Sequence, residues 1–501
     1  MAAISSAASG PWSSASTWAG GVAPTSADTV TIAKNHTVTL DTLSAVALSV
    51  VLNVGTTGAD VGGRLVASTV TSSKIIVQRG ITSNGATGGG GTYASYVNLD
   101  VSAVPGVTCE LRLNASNTTG AGFGLSLSGN FNLRGAPRKR WTRIAADLVA
   151  NSSKSCVVAD ASGWRVGDQL AFASTSAYNA SPRTDLVTID TLTPGAGTSA
   201  TVTWSDGAGT GGAVLYAHAA GCPVGNFTSN LIVGPHTDGK VAYTGLLTGT
   251  GSAPGFSDSV TNVLFRHVFG SSTFGLGAVV AVNAGVPRLV SLSENAFFEC
   301  RSQALFYRSV AAVSVRDWNV FYSSYTSSIL GGQDVSASNT IGPDRYCAVI
   351  RASGSTVVSV MPTFAYQHLI GWTISGVTSL GVTAPVVSLN AVVEMVDCEV
   401  FASNSGVRPN GARVTNCKFG TAAFPGASQR GGRGHRWWLP RHFCGLPVSA
   451  SHCFHWHPNQ RVPGGSGHDC QPQWRRCCSG GFWRIVWHGA HHPARCQHGQ
   501  P

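Results

Sequence analysis

Charge is scarce in this sequence: only 11% of its 501 residues are Asp, Glu, Lys or Arg, against roughly a quarter in ordinary soluble domains. Methionine occurs 3 times. Glu, Lys and Leu are too sparse to sustain long helices. No apolar run reaches the roughly eighteen residues of a membrane-spanning helix, so membrane insertion by a helix is not expected. The opening "MAAISSAASGPW" lacks the basic and long apolar regions of a secretory signal. The expectation is a chain made in the cytoplasm that reaches a virion or the exterior by another route. Asn-X-Ser/Thr triplets at Asn35, Asn114 and Asn226 then read as chance in a Ser/Thr-rich chain. What is abundant is Gly, at 61 residues, with Ser, Thr, Val and Ala. Val and Thr suit pleated strands, and glycine suits the turns between them. The composition is all-β.

The net charge of +11 suggests nucleic acid, but its placement argues against that partner. Residues 428–501 hold nine Arg and one Asp with no Lys or Glu, a net of +8, which leaves +3 for residues 1–427. A nearly neutral body is not built to capture phosphate backbones. The same 74 residues carry 10 of the 15 His, 6 of the 13 Trp and 6 of the 13 Cys. His452, Cys453, His455, His457, His468 and Cys470 are zinc-ligand types, yet no C-x2-C…H-x3–5-H unit is formed. Trp, Cys, His, Arg, Pro and Gly rise together here, as out-of-frame codons of a GC-rich gene would make them. The expectation is a frameshifted or otherwise non-native tail with no metal, and no cofactor is implied anywhere in the chain.

In the body, apolar residues alternate at Val30 and Ile32, then at Val38 and Leu40, with "KNH" as the turn between. The Gly-rich stretch at 82–95 lacks a phosphate-loop pattern. From about Val260 a coarser outline recurs: an alternating strand, a polar residue, an apolar or aromatic pair, then Ser or Gly. Phe269, Phe297, Phe321, Ile374, Phe401 and Phe419 mark it. Irregular periods in the low twenties are those of parallel β-helix coils, whose turns tolerate insertion. A single coil cannot bury its inward side chains, and stacking supplies the core. Cys398 and Cys417, like Asp397 and Asn416, fall at matching places of adjacent coils, which predicts an internal ladder. The body's seven cysteines (Cys109, Cys156, Cys222, Cys300, Cys347, Cys398, Cys417) read as reduced, buried thiols.

Four segments resemble the G8-domain family, the β-rich module of cell-surface hyaluronan-binding and polyductin-type proteins that is also common in phage and bacterial proteins. They are "GPWSSASTWAGGVAPTSADTVTIAKNHTVTLD" (10–41), "LRGAPRKRWTRI" (133–144), "SGWRVGDQLAFAST" (162–175) and "LYAHAAGCPVGNFTSNLIV" (215–233). The family positions are Trp12, Trp18, Gly20, Gly21, Pro24, Trp141, Trp164, Gly167, Asp168 and His218. The resemblance implies a right-handed parallel β-helix, with residues 1–9 as a leader, 10–235 as a G8-like region, 236–427 as coils and 428–501 as the tail. On physical grounds these positions are structural. Trp12, Trp18 and Trp164 would cover the end or flank of the solenoid, the glycines would permit turns, and Asp168 would cap backbone N–H groups. His218 and His36 would be satisfied by hydrogen bonds. Arg134, Arg138, Lys139, Arg140 and Arg143 around Trp141 would form a solvated turn.

Three functions fit this reading, the last being a bacterial surface adhesin exported by another route. The first is a structural or adhesion component of a phage particle, associated with a tail fibre or spike, with carbohydrate binding. Its partners would be other virion proteins or itself, as a homotrimer, and a cell-surface glycan. The alternative is an extracellular polysaccharide lyase or hydrolase working through paired acids or a Lys/Arg base. The carboxylates are Asp185, Glu294, Glu299, Asp317, Glu394, Asp397 and Glu399. Asp317 and Asp397 are the catalytic candidates, because they recur at one coil position.

Overall fold

The computed structural model describes residues 2–55, 60–84, 95–113, 124–127, 130–175 and 183–235, the strands and tight turns of each coil between 242 and 419, and residues 473–477 and 482–486. Unit one runs from Met1 to Pro440 and is a parallel β-helix; among its described residues there is no α-helix. One face carries twelve strands, from Gly10–Pro11 through Thr37–Leu40 and Asn130–Arg134 to Arg413–Thr415. Every neighbouring pair on it is parallel. A second face runs from Ala45–Ala47 to Lys418–Phe419, and a third from Ala3–Ser5 to Val407–Arg408. Val30, Ile32, Val38 and Leu40 all point inward and are fully buried. "KNH" is the corner between two faces, with Asn35 in the left-handed region at φ 64°.

The coils begin earlier than the sequence suggests. Ala3–Ser5 already pairs with Thr29–Ile32, so residues 1–9 include a strand of the first coil. Parallel coils also run on both sides of residue 235, with Leu111 paired to Val233 and Val233 to Phe265. What interrupts the solenoid is a module between Arg134 and Leu231. It holds an antiparallel four-stranded sheet (Trp141–Arg143, Pro223–Asn226, Gln169–Phe172, Asp185–Thr188) and an antiparallel three-stranded one (Ser155–Val158, Ala200–Thr203, Thr191–Pro194). Asn230 latches its two ends. Its Oδ1 accepts the N–H of Ala136, 2.7 Å away, while its Nδ2 donates to the carbonyls of Val101 and Val107.

Inside the solenoid, equivalent residues stack in columns. On the second face the register reads Ala45, Ile75, Leu111, Val233, Phe265, Phe297, Phe321, Val349, Ile374, Val400, Phe419. Phe265, Phe297 and Phe321 stack face to face, 5.1 and 4.8 Å apart. The expected aromatic row is thus corrected at two places: Phe265 replaces Phe269, and Val400 replaces Phe401. Both replaced residues are aromatic neighbours that the alternation alone could not separate from the column.

A second column follows the corner between the first two faces: Asn295, Asn319, Cys347, Trp372, Cys398 and Cys417. Asn319 Oδ1 accepts from the backbone N–H and the Nδ2 of Asn295, and its own Nδ2 donates to the carbonyl of Leu292. The thiols of Cys398 and Cys417 meet strand carbonyls, so the pair forms the expected ladder. The residue before each of these holds a left-handed conformation: Glu294, Trp318, Tyr346, Gly371, Asp397 and Asn416. Such a conformation costs an L-residue about 1–2 kcal/mol. Here it is imposed by stacking, since the N–H groups of Glu294 through Asp397 each donate to the next coil, as Tyr346 does to Ile370.

Unit two spans Arg441–Pro501. Its described part is one antiparallel pair, Gln473–Cys477 with Phe482–Val486. His452, Cys453, His455, His457, His468 and Cys470 lie outside the described residues, as do 85–94 of the Gly-rich stretch.

Two outcomes are expected. Asn319→Ala leaves the buried Asn295 N–H without its partner, at about 1–3 kcal/mol, while the Leu292 carbonyl keeps its place in the strand ladder. Denaturant melts should show a loss of about 1–3 kcal/mol, and an unchanged midpoint would mean that water replaces the amide. Among the body thiols, burial pushes Cys109, Cys156 and Cys300 up to about 12, whereas a hydrogen bond from Cys398 lowers the half-exposed Cys417 against its partial burial. Iodoacetamide with peptide mapping should label Cys417 first, because the thiolate is the nucleophile.

Candidate functional site

The outward residues of the second face show where the module sits. In register they read Lys74, Glu110, Ile232, Leu264, Ala296, Val320, Ala348, Thr373, Glu399, Lys418. The column is polar at both ends and apolar through its middle. The apolar stretch is covered: Leu264, Ala296, Val320 and Ala348 belong to one buried cluster with Trp141, Trp164, Phe172, Val224 and Phe227 of the module. Phe227 meets Phe298 and Tyr322 at ring distances of 5.5 and 5.7 Å.

The segment "RKRWTR" fastens the module to the solenoid corner. The sequence suggests a solvated turn there, and the structure corrects this. Arg138 pairs with Asp168, both buried, and its N–H donates to Asn262 Oδ1. Arg140 is fully buried and donates to the carbonyls of Glu294 and Thr228. Burial, with the Arg138 cation beside it, pulls the Arg140 guanidinium down to about 9. Trp141 donates from Nε1 to the Tyr346 carbonyl at 2.6 Å. Arg143 reaches along the outward column to Thr373 Oγ1 and, at 2.8 Å, to Glu399 Oε2. Short strands of mixed charge and aromatic character gave no period by which to recognise a docking segment. The signal that could have found it is the apolar run in the outward column, where a free face would alternate polar.

Beside this seam the corner presents an aromatic surface. Trp318 and Tyr346 come from successive coils and stack at 4.9 Å with 25° between their planes. Trp141 lies 5.7 Å from Trp318, and the Lys139 ammonium sits 3.3 Å above the Trp318 ring. Tyr346 is 42% exposed, the one aromatic among the exposed large hydrophobic residues described. Arg345, next to it, grips Asp317 with two bonds of 2.9 and 2.7 Å, and that bond holds the guanidinium above its ordinary value. Aromatic faces beside fixed donors and acceptors can contact a polyhydroxylated ligand.

The catalytic candidates do not come together. Asp317 ends a first-face strand, and its register continues through Arg345, Ile370 and Val396, so Asp397 lies one position beyond it and three coils away. At about 4.8 Å per coil the separation is about 14 Å, against roughly 5–9.5 Å for the paired acids of glycosidases. Asp317 is held by Arg345, and Asp397 accepts from Asn416. Asp185 is buried against His218, at 2.8 Å, and takes two backbone N–H groups. Glu294 accepts from Asn262.

The family positions are placed as follows. Trp12 and Trp18 meet edge to face at 5.0 Å in the first coil, buried, with Trp18 Nε1 donating to the Trp12 carbonyl. Pro24 is buried nearby in sequence. Gly20, Gly21 and Gly167 hold φ values of 89°, 68° and 87°. Trp164 donates to the Lys139 carbonyl within the module cluster. Asp168, besides Arg138, accepts from the Arg165 N–H and Asn226 Nδ2. His218 Nδ1 meets the Ala173 carbonyl, and His36 Nδ1 meets Ser6 Oγ. Among the described residues no three His, Cys, Asp or Glu side chains group to hold a metal.

No protein-family model and no curated protein matches the chain. Solved structures similar to it include three phage tailspikes. The Gp54 tailspike of Acinetobacter baumannii bacteriophage AP22, in complex with A. baumannii capsular saccharide, is 14% identical with a TM-score of 0.18, covering 72% of this chain and 67% of that one. The tailspike gp49 from Pseudomonas phage LKA1 is 9% identical with a TM-score of 0.16, over 75% and 74%. The Pseudomonas phage phi297 tailspike gp61 is 9% identical with a TM-score of 0.18, over 74% and 64%, so this chain spans a little less than two thirds of its length. The β-helix is read from the strand pairing above, and these similarities add no argument to it.

The seam carries one shifted carboxyl. Burial pushes the Glu399 carboxyl up, and the Arg143 and Lys418 cations outweigh it, holding it below its ordinary 4.5. A depressed carboxylate contributes its stability above the unfolded value and loses it as pH falls through the folded one. Exchange of the Trp141–Arg143 and Thr373–Ile374 amides, corrected for intrinsic rates, should therefore accelerate as pH falls below the ordinary 4.5 of a glutamate. Glu399→Gln should abolish that dependence; if it persists, another group is responsible.

Proposed function

We propose that this chain is a structural and adhesion component of a phage particle, spike- or fibre-associated, that binds a cell-surface carbohydrate and works in the virion or outside the cell. The observation that carries this reading is the stack of twelve parallel strands on the first face, kept in pairing across the inserted module. Such a body, roughly 50 Å long at the spacing of paired strands, presents a fixed lateral surface. A G8-like ancestry of segments 133–144, 162–175 and 215–233 accords with it, and all three lie in the module or at its ends. Among the described residues no helix is long and apolar enough to cross a membrane. Partners would be other virion proteins or further copies of the chain. A binding role is preferred to hydrolysis because Asp317 and Asp397 are too far apart to act as a pair.

Density-purified particles from a lysate encoding the gene, analysed by mass spectrometry and immunogold labelling, should contain the protein at the tail. Its absence from particles, or release of reducing ends from polysaccharide by the purified chain with loss in Asp317→Asn, would sink the reading in favour of a secreted enzyme.

A further inference from the structure

We propose that the Tyr346 ring is a stacking platform for an uncharged pyranose residue of a polysaccharide. This rests on the carbohydrate-binding reading above and names the sugar class and its contact.

The ring is held in place before any ligand arrives. Tyr346 sits in the left-handed corner at φ 54°. Its N–H donates to the Ile370 carbonyl and its own carbonyl accepts from Trp141. Trp318 backs the ring on one side. In the next coil the equivalent corner residue is Gly371, also left-handed at 63°, and the ring leans across it. A Cβ at that position would lie 2.6 Å from Tyr346 Cδ1. The missing side chain is what lets the ring rest against the corner. An exposed aromatic with its rotamer fixed loses little entropy on binding.

The ligand class follows from what surrounds the ring. An aromatic face complements the C–H face of a pyranose, whose hydroxyls then need donors and acceptors at the rim. Arg345 and Asp317 offer both, with side-chain exposures of 42% and 19%. Among the described residues, the cations beside the ring are matched, Arg345 by Asp317 and Lys139 by Asp160 and the Trp318 ring. Arg143 and Lys418 share Glu399, two coils further along. A uronate or sialate carboxylate stacked on Tyr346 would therefore meet no unmatched described cation beside the ring, and burying a charge without a partner is costly. The surface therefore selects neutral sugars.

The test uses the full chain in affinity electrophoresis and tryptophan fluorescence, with dextran, galactomannan and yeast mannan as neutral probes and alginate and polygalacturonate as acidic ones. At least one neutral polymer should bind and perturb Trp318 emission, with little response to salt. Tyr346→Ala should weaken binding about tenfold or more, the order expected for an aromatic contact. Tyr346→Phe should stay within about twofold, since it keeps the face. Gly371→Ala, which displaces the ring without removing it, should fall between. Circular dichroism and the melting midpoint of each variant check the fold. The proposal is overturned if no neutral polymer binds, if acidic polymers bind better and lose affinity with salt, or if a correctly folded Tyr346→Ala binds as the parent does. In that last case the chain still binds carbohydrate, at another place. If particles contain the protein and none of the neutral probes binds, the particle assignment stands and the platform alone is wrong.

Discussion

Parallel pairing of each coil with the next is the constraint from which the rest of this structure follows. Every strand N–H and carbonyl must find its partner one coil above or below, because water cannot reach them between faces. Equivalent residues are thereby held at one height, and inward side chains become columns. The Phe265–Phe297–Phe321 stack and the Asn295–Asn319 amide chain are two consequences of that requirement. A third is the row of left-handed corner residues. No single one of them, least of all Trp318, would choose that conformation alone. Each is held there by an N–H that must reach the following coil.

The same register governs the outside. Because the outward column on the second face is fixed in height, its change from Glu110 to Ile232 and back from Ala348 to Thr373 marks the footprint of the module. Arg143 crosses that boundary and ends on Glu399. The aromatic surface at the corner exists where the module's edge, carrying Lys139 and Trp141, meets the left-handed row at Trp318 and Tyr346. Neither partner would form it alone.

Much of the solenoid was legible in the sequence. Val30, Ile32, Val38 and Leu40 alternate because each strand has one wet and one buried side, and Cys398 and Cys417 recur because the coils do. The matching of Phe297 to Phe321 was legible for the same reason. The module was not, because its antiparallel strands alternate just as the solenoid's do and nothing local distinguishes a strand that pairs with its own neighbour from one that pairs a coil away. The basic run at 138–143 misled for a related reason. Charge reads as solvated unless its acceptors are known, and those of Arg140 are carbonyls 88 and 154 residues further on. Asp317 and Asp397 looked equivalent because counting along coils of unequal length drifts by one position.

The latch at Asn230 gives the module's insertion a further meaning. Entry at Ala136 and exit at Leu231 are held side by side by one side chain, and the coil closes with Leu111 under Val233 as though nothing intervened. The solenoid therefore behaves as a rail with a socket. A lineage could replace the cassette between these two points without shifting the height of any later coil, provided that the newcomer brought an apolar underside for Leu264, Val320 and Ala348. Because Trp141 and Lys139 arrive with the cassette while Trp318 and Tyr346 stay with the rail, such an exchange would recompose the aromatic corner in a single genetic step.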